Sequence, residues 1–181
     1  MTEFKEWAKI ARLNRDIIIT EKIDGTNAVV FNGENGEFLV GSRTQWITPE
    51  KDNYDFAKWA YANKEELQKL GAGYHYGEWW GNGIQRTYGL PSGDKRFYLF
   101  NVSKWKDDYI RPNCCGVVPV LYAGTFNQLA IICCIEDLKE KGSKVAPFMN
   151  PEGVVIFHTA SKALFKVTIE NDEKPKKFIE V

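Results

Sequence analysis

Two short apolar runs, Ile17-Ile18-Ile19 and Ala28-Val29-Val30-Phe31, flank the polar segment Glu21-Lys22-Ile23-Asp24-Gly25-Thr26-Asn27. Both runs are rich in β-branched residues, too short to be core helices and bounded by polar residues, so they read as strands on either side of a turn. A chain built around such a unit needs further strands to hydrogen-bond these two, and the rest of the sequence supplies them. Asn32-Gly33-Glu34-Asn35-Gly36 is a hairpin signal that returns through Phe38-Leu39-Val40. Extended segments are expected at 74–80, 97–102, 117–122, 153–157 and 164–169.

Helices are expected between them. Phe4, Trp7, Ala8 and Ala11 recur at helical spacing and predict an amphipathic opening helix ending near Asn14. Phe56, Trp59, Ala60, Leu67 and Leu70 predict a second helix stopped by Gly71, and 126–141 a third closed by Gly142. Hairpin-joined strands with interspersed helices predict an α+β domain rather than a doubly wound parallel sheet. At 181 residues the chain is sized for one domain over 1–181. Its charged tail, 171–181, is expected to be either loosely ordered or a final edge strand.

Composition narrows the partners. Hydrophobic content of 44% and charged content of 27% are those of an ordinary globular protein. There is neither an apolar run near the ~20 residues of a membrane helix nor a signal-peptide pattern, so no membrane and a cytoplasmic location are expected. The 24 basic and 24 acidic residues cancel. That argues against a partner held by whole-protein electrostatics, yet leaves room for a local basic groove. The pairs Cys114-Cys115 and Cys133-Cys134 lack zinc-site spacing and, flanked by aliphatic residues, read as small buried hydrophobes.

The residue types that carry chemistry follow. A lysine attacks phosphorus as a neutral amine, so a nucleophile at Lys22 needs partial burial, nearby positive charge or a base. The plainer alternative is a surface lysine beside a common Asp-Gly turn. Glu78 and Glu152 are each followed by strand-like residues that would aim a carboxylate into a cleft, where it could hold Mg²⁺ or accept from ribose hydroxyls. Arg43 and Lys166 are cations suited to a phosphoryl group, or else surface ion pairs. Phe100 either stacks on a purine or belongs to the core. Trp79 and Trp80 lean to core, and His75 and His158 have no ligand spacing. The glycine-rich run 76–83 lacks the lysine of a Walker loop.

Taken in order, Glu21-Lys22-Ile23-Asp24-Gly25-Thr26-Asn27, Ser42-Arg43-Thr44, Tyr76-Gly77-Glu78, Phe97-Tyr98-Leu99-Phe100, Pro151-Glu152-Gly153-Val154-Val155 and Phe165-Lys166 resemble the covalent nucleotidyltransferase superfamily of DNA ligases, RNA ligases and mRNA capping enzymes. Asn27, two residues past the glycine, makes the resemblance strongest to RNA ligases that seal nicks in duplex RNA. The resemblance implies an adenylation domain of antiparallel sheets flanked by helices, ending about where a C-terminal OB domain would begin. It implies ATP and Mg²⁺, with Lys22 taking AMP, Glu21 against the adenine and Arg43 at the ribose. Glu78 would accept from a ribose hydroxyl, Phe100 stack on the base, Glu152 support the metal, Lys166 contact the α-phosphate and Asn27 orient phosphates. The implied partner is nicked duplex RNA or an RNA/DNA hybrid, with a partner protein possible in place of a C-terminal domain. The family often has a second lysine two residues after the first; here Thr168 follows Lys166, leaving Lys162 as a substitute. A small DNA ligase and a degenerate nucleotide- or RNA-end-binding module are the alternatives.

Overall fold

The computed structural model describes residues 2–173. The expectation for the tail, including Lys174, Lys176 and Lys177, lies largely outside them. Ten strands run through the described residues: β1 (Asp16–Lys22), β2 (Thr26–Asn32), β3 (Phe38–Gly41), β4 (Trp46–Ile47), β5 (Gly73–Gly81), β6 (Lys95–Leu99), β7 (Cys115–Val117), β8 (Val120–Thr125), β9 (Gly153–His158) and β10 (Ala163–Thr168). The helices are α1 (Phe56–Ala62), α2 (Lys64–Gln68), α3 (Val102–Trp105) and α4 (Gln128–Lys141). The α+β class is as expected.

The strands form a four-stranded sheet, β10-β9-β1-β8, and a six-stranded sheet, β4-β3-β2-β5-β6-β7. Every pairing is antiparallel except β6 with β7. The two apolar runs of the opening unit therefore do not pair with each other. β1 belongs to the smaller sheet and β2 to the larger, so the Lys22 turn is the crossing between sheets.

Three apolar clusters hold the layers. Val30, Val40, Trp79, Phe97 and Leu99 line one face of the larger sheet and pack on Phe56, Ala60 and Leu67 of the short helices. Ile17, Ile19, Val154 and Ile156 line the outer face of the smaller sheet and pack on Ile135 and Leu138 of α4. Between the sheets, Trp80 packs with Ile23, Tyr88, Val102 and Val118, with Ile18 and Phe148 against them. Trp79 and Trp80 are thus both core.

Several expectations need correction. Residues 2–12 form no helix, and Phe4, Trp7 and Ile10 stand exposed. The periodicity is real, but a short helix is marginal in water without a surface to bury its apolar face. The expected helix over 56–70 is two helices broken at Asn63, whose Nδ2 donates to the Trp59 carbonyl at 2.8 Å. The 97–102 strand ends at Leu99, and Val102 opens α3, where Asn101 caps by accepting from the Lys104 N–H at 3.1 Å. The 117–122 strand is two, β7 and β8 in different sheets, separated at Val118-Pro119, since proline cannot donate to a ladder. Of the cysteines, Cys115 and Cys134 are buried, Cys114 is half-buried, and Cys133 is exposed on the outside of α4.

The end of β2 is tied to the helical layer by one buried amide. Asn32 Nδ2 donates to the carbonyls of Leu67 at 2.9 Å and Gly71 at 3.1 Å. Replacing Asn32 by alanine takes that donor from the buried Leu67 carbonyl, and a loss of roughly 1–3 kcal/mol is expected in urea unfolding.

Candidate active site

Side chains alternate along a strand, so the residues of one face follow from the register. On β1, Ile18, Thr20 and Lys22 face the larger sheet, while Ile17, Ile19 and Glu21 face α4. On β5, Tyr74, Tyr76, Glu78 and Trp80 face the smaller sheet, opposite His75 and Trp79. The cleft between the sheets therefore receives Lys22 from one side and Glu78 from the other.

Lys22 ends β1, and its Nζ donates to Glu152 Oε2. Glu152 immediately precedes β9, whose first residue, Gly153, pairs with Lys22. Gly153 has φ +150°, and a Cβ there would lie 2.2 Å from the Val167 carbonyl oxygen, so the position admits no side chain. Glu78 Oε1 accepts the Gly25 N–H at 3.0 Å and Oε2 accepts from Asn27 Nδ2 at 3.3 Å. One carboxylate thus grips both the turn and the start of β2. Gly25 is required for a packing reason: a Cβ would come within 2.4 Å of the Trp79 carbonyl oxygen and 2.8 Å of Trp80 Cβ.

Asn27, Arg43 and Phe100 line a cavity of about 210 Å³ together with Ala28, Val29, Ser42 and Tyr76. Arg43 sits in the turn after β3, closed by the Ser42 N–H donating to the Gln45 carbonyl at 2.9 Å. Phe100 continues the β6 pairing, its N–H donating to the Tyr76 carbonyl at 3.0 Å. A larger open hollow of about 450 Å³ lies between β8 and α4, but it shares no residue with this cleft. The clustering of chemically capable side chains identifies the smaller one.

Glu21 departs from its expected place. Its carboxylate lies on the opposite face from Lys22, accepting from Ser143 Oγ at 2.6 Å and the Lys144 N–H at 2.7 Å. Burial raises its pKa above the ordinary value, and these hydrogen bonds oppose the rise. Lys166 is exposed on the cleft face of β10, paired with Val155. Thr168, where the second lysine would stand, shares the row of Gly153 and Lys22, and its hydroxyl donates to the Glu170 carbonyl at 2.9 Å. Lys162 lies in the β9–β10 turn, at the other end of the strand from Lys22, so it does not substitute.

Arg86 and Tyr88 were not anticipated. Arg86 Nε donates to Asp24 Oδ2 at 2.9 Å, and Nη1 donates to the Asn150 carbonyl at 2.9 Å. The guanidinium thereby bridges the Lys22 turn and the segment leading to Glu152. The buried Tyr88 hydroxyl accepts the Asp24 N–H at 2.8 Å. Gln85, Thr87 and Tyr88 all have positive φ, an uncommon conformation for such residues. The one sequence signal was the glycine-rich stretch after Glu78, which has no periodicity to say where it folds.

Among the described residues no group of three or more His, Cys, Asp or Glu side chains could hold a metal by itself. The Glu152 charge opposes ionisation of Glu78, a setting that favours a cation arriving with its own phosphate ligands.

A lysine hydrogen-bonded to a buried carboxylate between two sheets, beside a cavity on the larger one, defines the site. The chain belongs to the RNA ligase family, whose model matches residues 15–168. Among solved structures it resembles Naegleria gruberi RNA ligase variants. One with AMP and Mn gives 22% identity, TM-score 0.62, and coverage of 86% of this chain and 50% of that one. One with ATP and Mn gives 22% identity, TM-score 0.63, and coverage of 87% and 51%. The same ligase with PPi gives 22% identity, TM-score 0.58, and coverage of 86% and 50%. The chain thus spans about half the length of these structures. A search of the curated proteins returned no match. No helix of the described residues is long and apolar enough to cross a membrane.

Burial lifts the Glu78 carboxyl from 4.5 to about 7, with Lys22 and the Gly25 amide pulling it back down. The fold therefore retains a proton that the unfolded chain releases near 4.5. This favours the folded state below that pH and is lost as pH rises through about 7. Glu78→Gln keeps a carbonyl for Gly25 and removes the titration. It should be little different from wild type at low pH, and more stable above neutrality by on the order of 1–3 kcal/mol in urea midpoints.

Proposed function

We propose that the chain is the nucleotidyltransferase part of an ATP-dependent RNA ligase acting through a covalent lysyl-AMP. The observation that carries this is the Lys22 amine hydrogen-bonded to the buried Glu152, inside a cleft shared with Glu78, Asn27, Arg43 and Phe100.

In the first step Lys22 Nζ attacks the α-phosphorus of ATP, its proton passes to Glu152, the P–O bond to pyrophosphate breaks, and pyrophosphate leaves. Phe100 stacks on the adenine, and Arg43 and Glu78 take the ribose hydroxyls. Lys166 faces the α-phosphate side of the cleft, and Asn27 orients phosphates. Glu21, by holding Ser143 and Lys144, fixes the loop behind the nucleophile. Glu152 and Glu78 are the residues that would hold Mg²⁺, which neutralises phosphate charge when bound. In the second step a 5′-phosphate oxygen of RNA attacks the same phosphorus, and the N–P bond to Lys22 breaks. Finally a 3′-hydroxyl attacks the adenylated 5′-phosphate, joining the strand and releasing AMP. A nicked RNA duplex or RNA/DNA hybrid presents both ends together.

Thr168 in place of a second cleft lysine supports the alternative of an RNA-end-binding module. Intact mass after incubation with ATP and Mg²⁺ decides between them. One added AMP is expected on the wild type and none on Lys22→Ala. Glu152→Gln, which keeps the shape but takes no proton, should slow AMP loading by roughly 100-fold or more. If the wild type gains no AMP, a pre-adenylated nicked RNA duplex should be tried; failure to seal it as well would leave the binding module. Sealing that requires a 2′-hydroxyl at the nick would assign RNA over DNA.

A further inference from the structure

The cleft face of the larger sheet does not end at the cavity. Beyond Tyr76 it carries a run of aromatic rings in mutual contact. Tyr76 and Tyr74 have centroids 6.0 Å apart and planes within 9°. Tyr74 and Trp46 are 6.2 Å apart with planes 20° apart, and Phe31 lies 4.7 Å from Tyr74 and 6.2 Å from Trp46. The register explains the alignment, because Phe31 pairs with Tyr74, Val29 with Tyr76, and Gly41 with both Val29 and Trp46.

These rings do little for the core. Trp46 is 47% exposed, Tyr74 55% and Tyr76 58%, and Phe100 beside them is 40% exposed. None belongs to an apolar cluster, whereas their strand neighbours His75 and Trp79 are buried on the other side. Cross-strand ring pairs stabilise a sheet modestly, by about 0.2–1 kcal/mol each, which does not account for a continuous exposed row. The row is continuous with the candidate nucleotide cavity, since Tyr76 belongs to both.

We infer that Tyr76, Tyr74 and Trp46 form a stacking platform for unpaired bases of a single-stranded RNA segment next to the duplex whose end is delivered to Lys22. The inference rests on the ligase reading of the cleft and adds how the strand is held. With 24 basic and 24 acidic residues, the chain has no overall positive charge to gather phosphates. Stacking on aromatic faces supplies affinity that tolerates both salt and sequence, because every base has a π-face. Continuity with the cavity favours RNA as the occupant over a protein surface.

The test measures binding of a short 5′-labelled single-stranded RNA by fluorescence anisotropy at low and high salt. Wild type is compared with Trp46→Ala, Tyr74→Ala and the ring-keeping Tyr74→Phe and Trp46→Phe. Each alanine variant should bind roughly 5- to 100-fold more weakly at both salts, and the phenylalanine variants should recover most of the loss. AMP loading of Lys22 should be unchanged in all four. Alanine variants that bind as well as wild type, or a wild type that binds no RNA, would overturn the inference. So would a change in sedimentation mass without a change in RNA affinity, which would assign the row to a protein contact. Ring-dependent RNA binding without any AMP adduct would sustain the platform while removing the ligase reading, so the two fail separately.

Discussion

Glu21, Glu78 and Glu152 are withdrawn from water on the two faces of the crossing between the sheets, at 1%, 8% and 3% exposure, and a buried carboxylate must find donors or a counter-charge. Each finds a different one. Glu152 takes the Lys22 amine, Glu78 takes the Gly25 amide and the Asn27 side chain, and Glu21 takes Ser143 and Lys144. These contacts join β1, β2, β5, the segment before β9 and the loop after α4. The same side chains that hold the sheets together thereby set the position of the Lys22 amine.

The crossing between the sheets is where this matters most. A hairpin at Gly25 would have kept Lys22 on one sheet and placed it at an edge. By crossing instead, the chain sets Lys22 opposite Glu78, with Gly25 pressed against the Trp79 carbonyl. Arg86 and Tyr88 brace the crossing from the far side through Asp24, and Arg86 reaches Asn150 as well. The positive-φ backbone at Gln85, Thr87 and Tyr88 is the conformational cost of that brace. The raised Glu78 pKa has the same origin, since a carboxyl closed in by Trp79, Trp80 and Gly25 has little water to stabilise its charge.

Much of this was legible in local sequence. β1, β2, β5, β9 and β10 each carry enough β-branched or aromatic residues to declare themselves, and Gly36, Gly71 and Gly142 mark ends by their positive φ. Of the residues the motifs singled out, Lys22 meets Glu152, Glu78 meets Asn27, and Asn27, Arg43 and Phe100 line one cavity. Glu21 was misjudged because neighbours on a strand face opposite ways, and the motif alone does not reveal that β1 continues through Lys22. The opening helix failed for a different reason. Its periodicity described an apolar face, but no partner face exists for it among the described residues.

The sequence by itself determined the class of fold and the strands that carry the motifs, because these depend on near neighbours and on residue chemistry. The tertiary structure decided that β1 and β2 lie in different sheets, that Val118-Pro119 divides two strands, and that Arg86 clasps Asp24. It also decided that Trp46, Tyr74 and Tyr76 align into one exposed row. These depend on pairings between residues tens of positions apart, and no local pattern encodes which strand will be a neighbour.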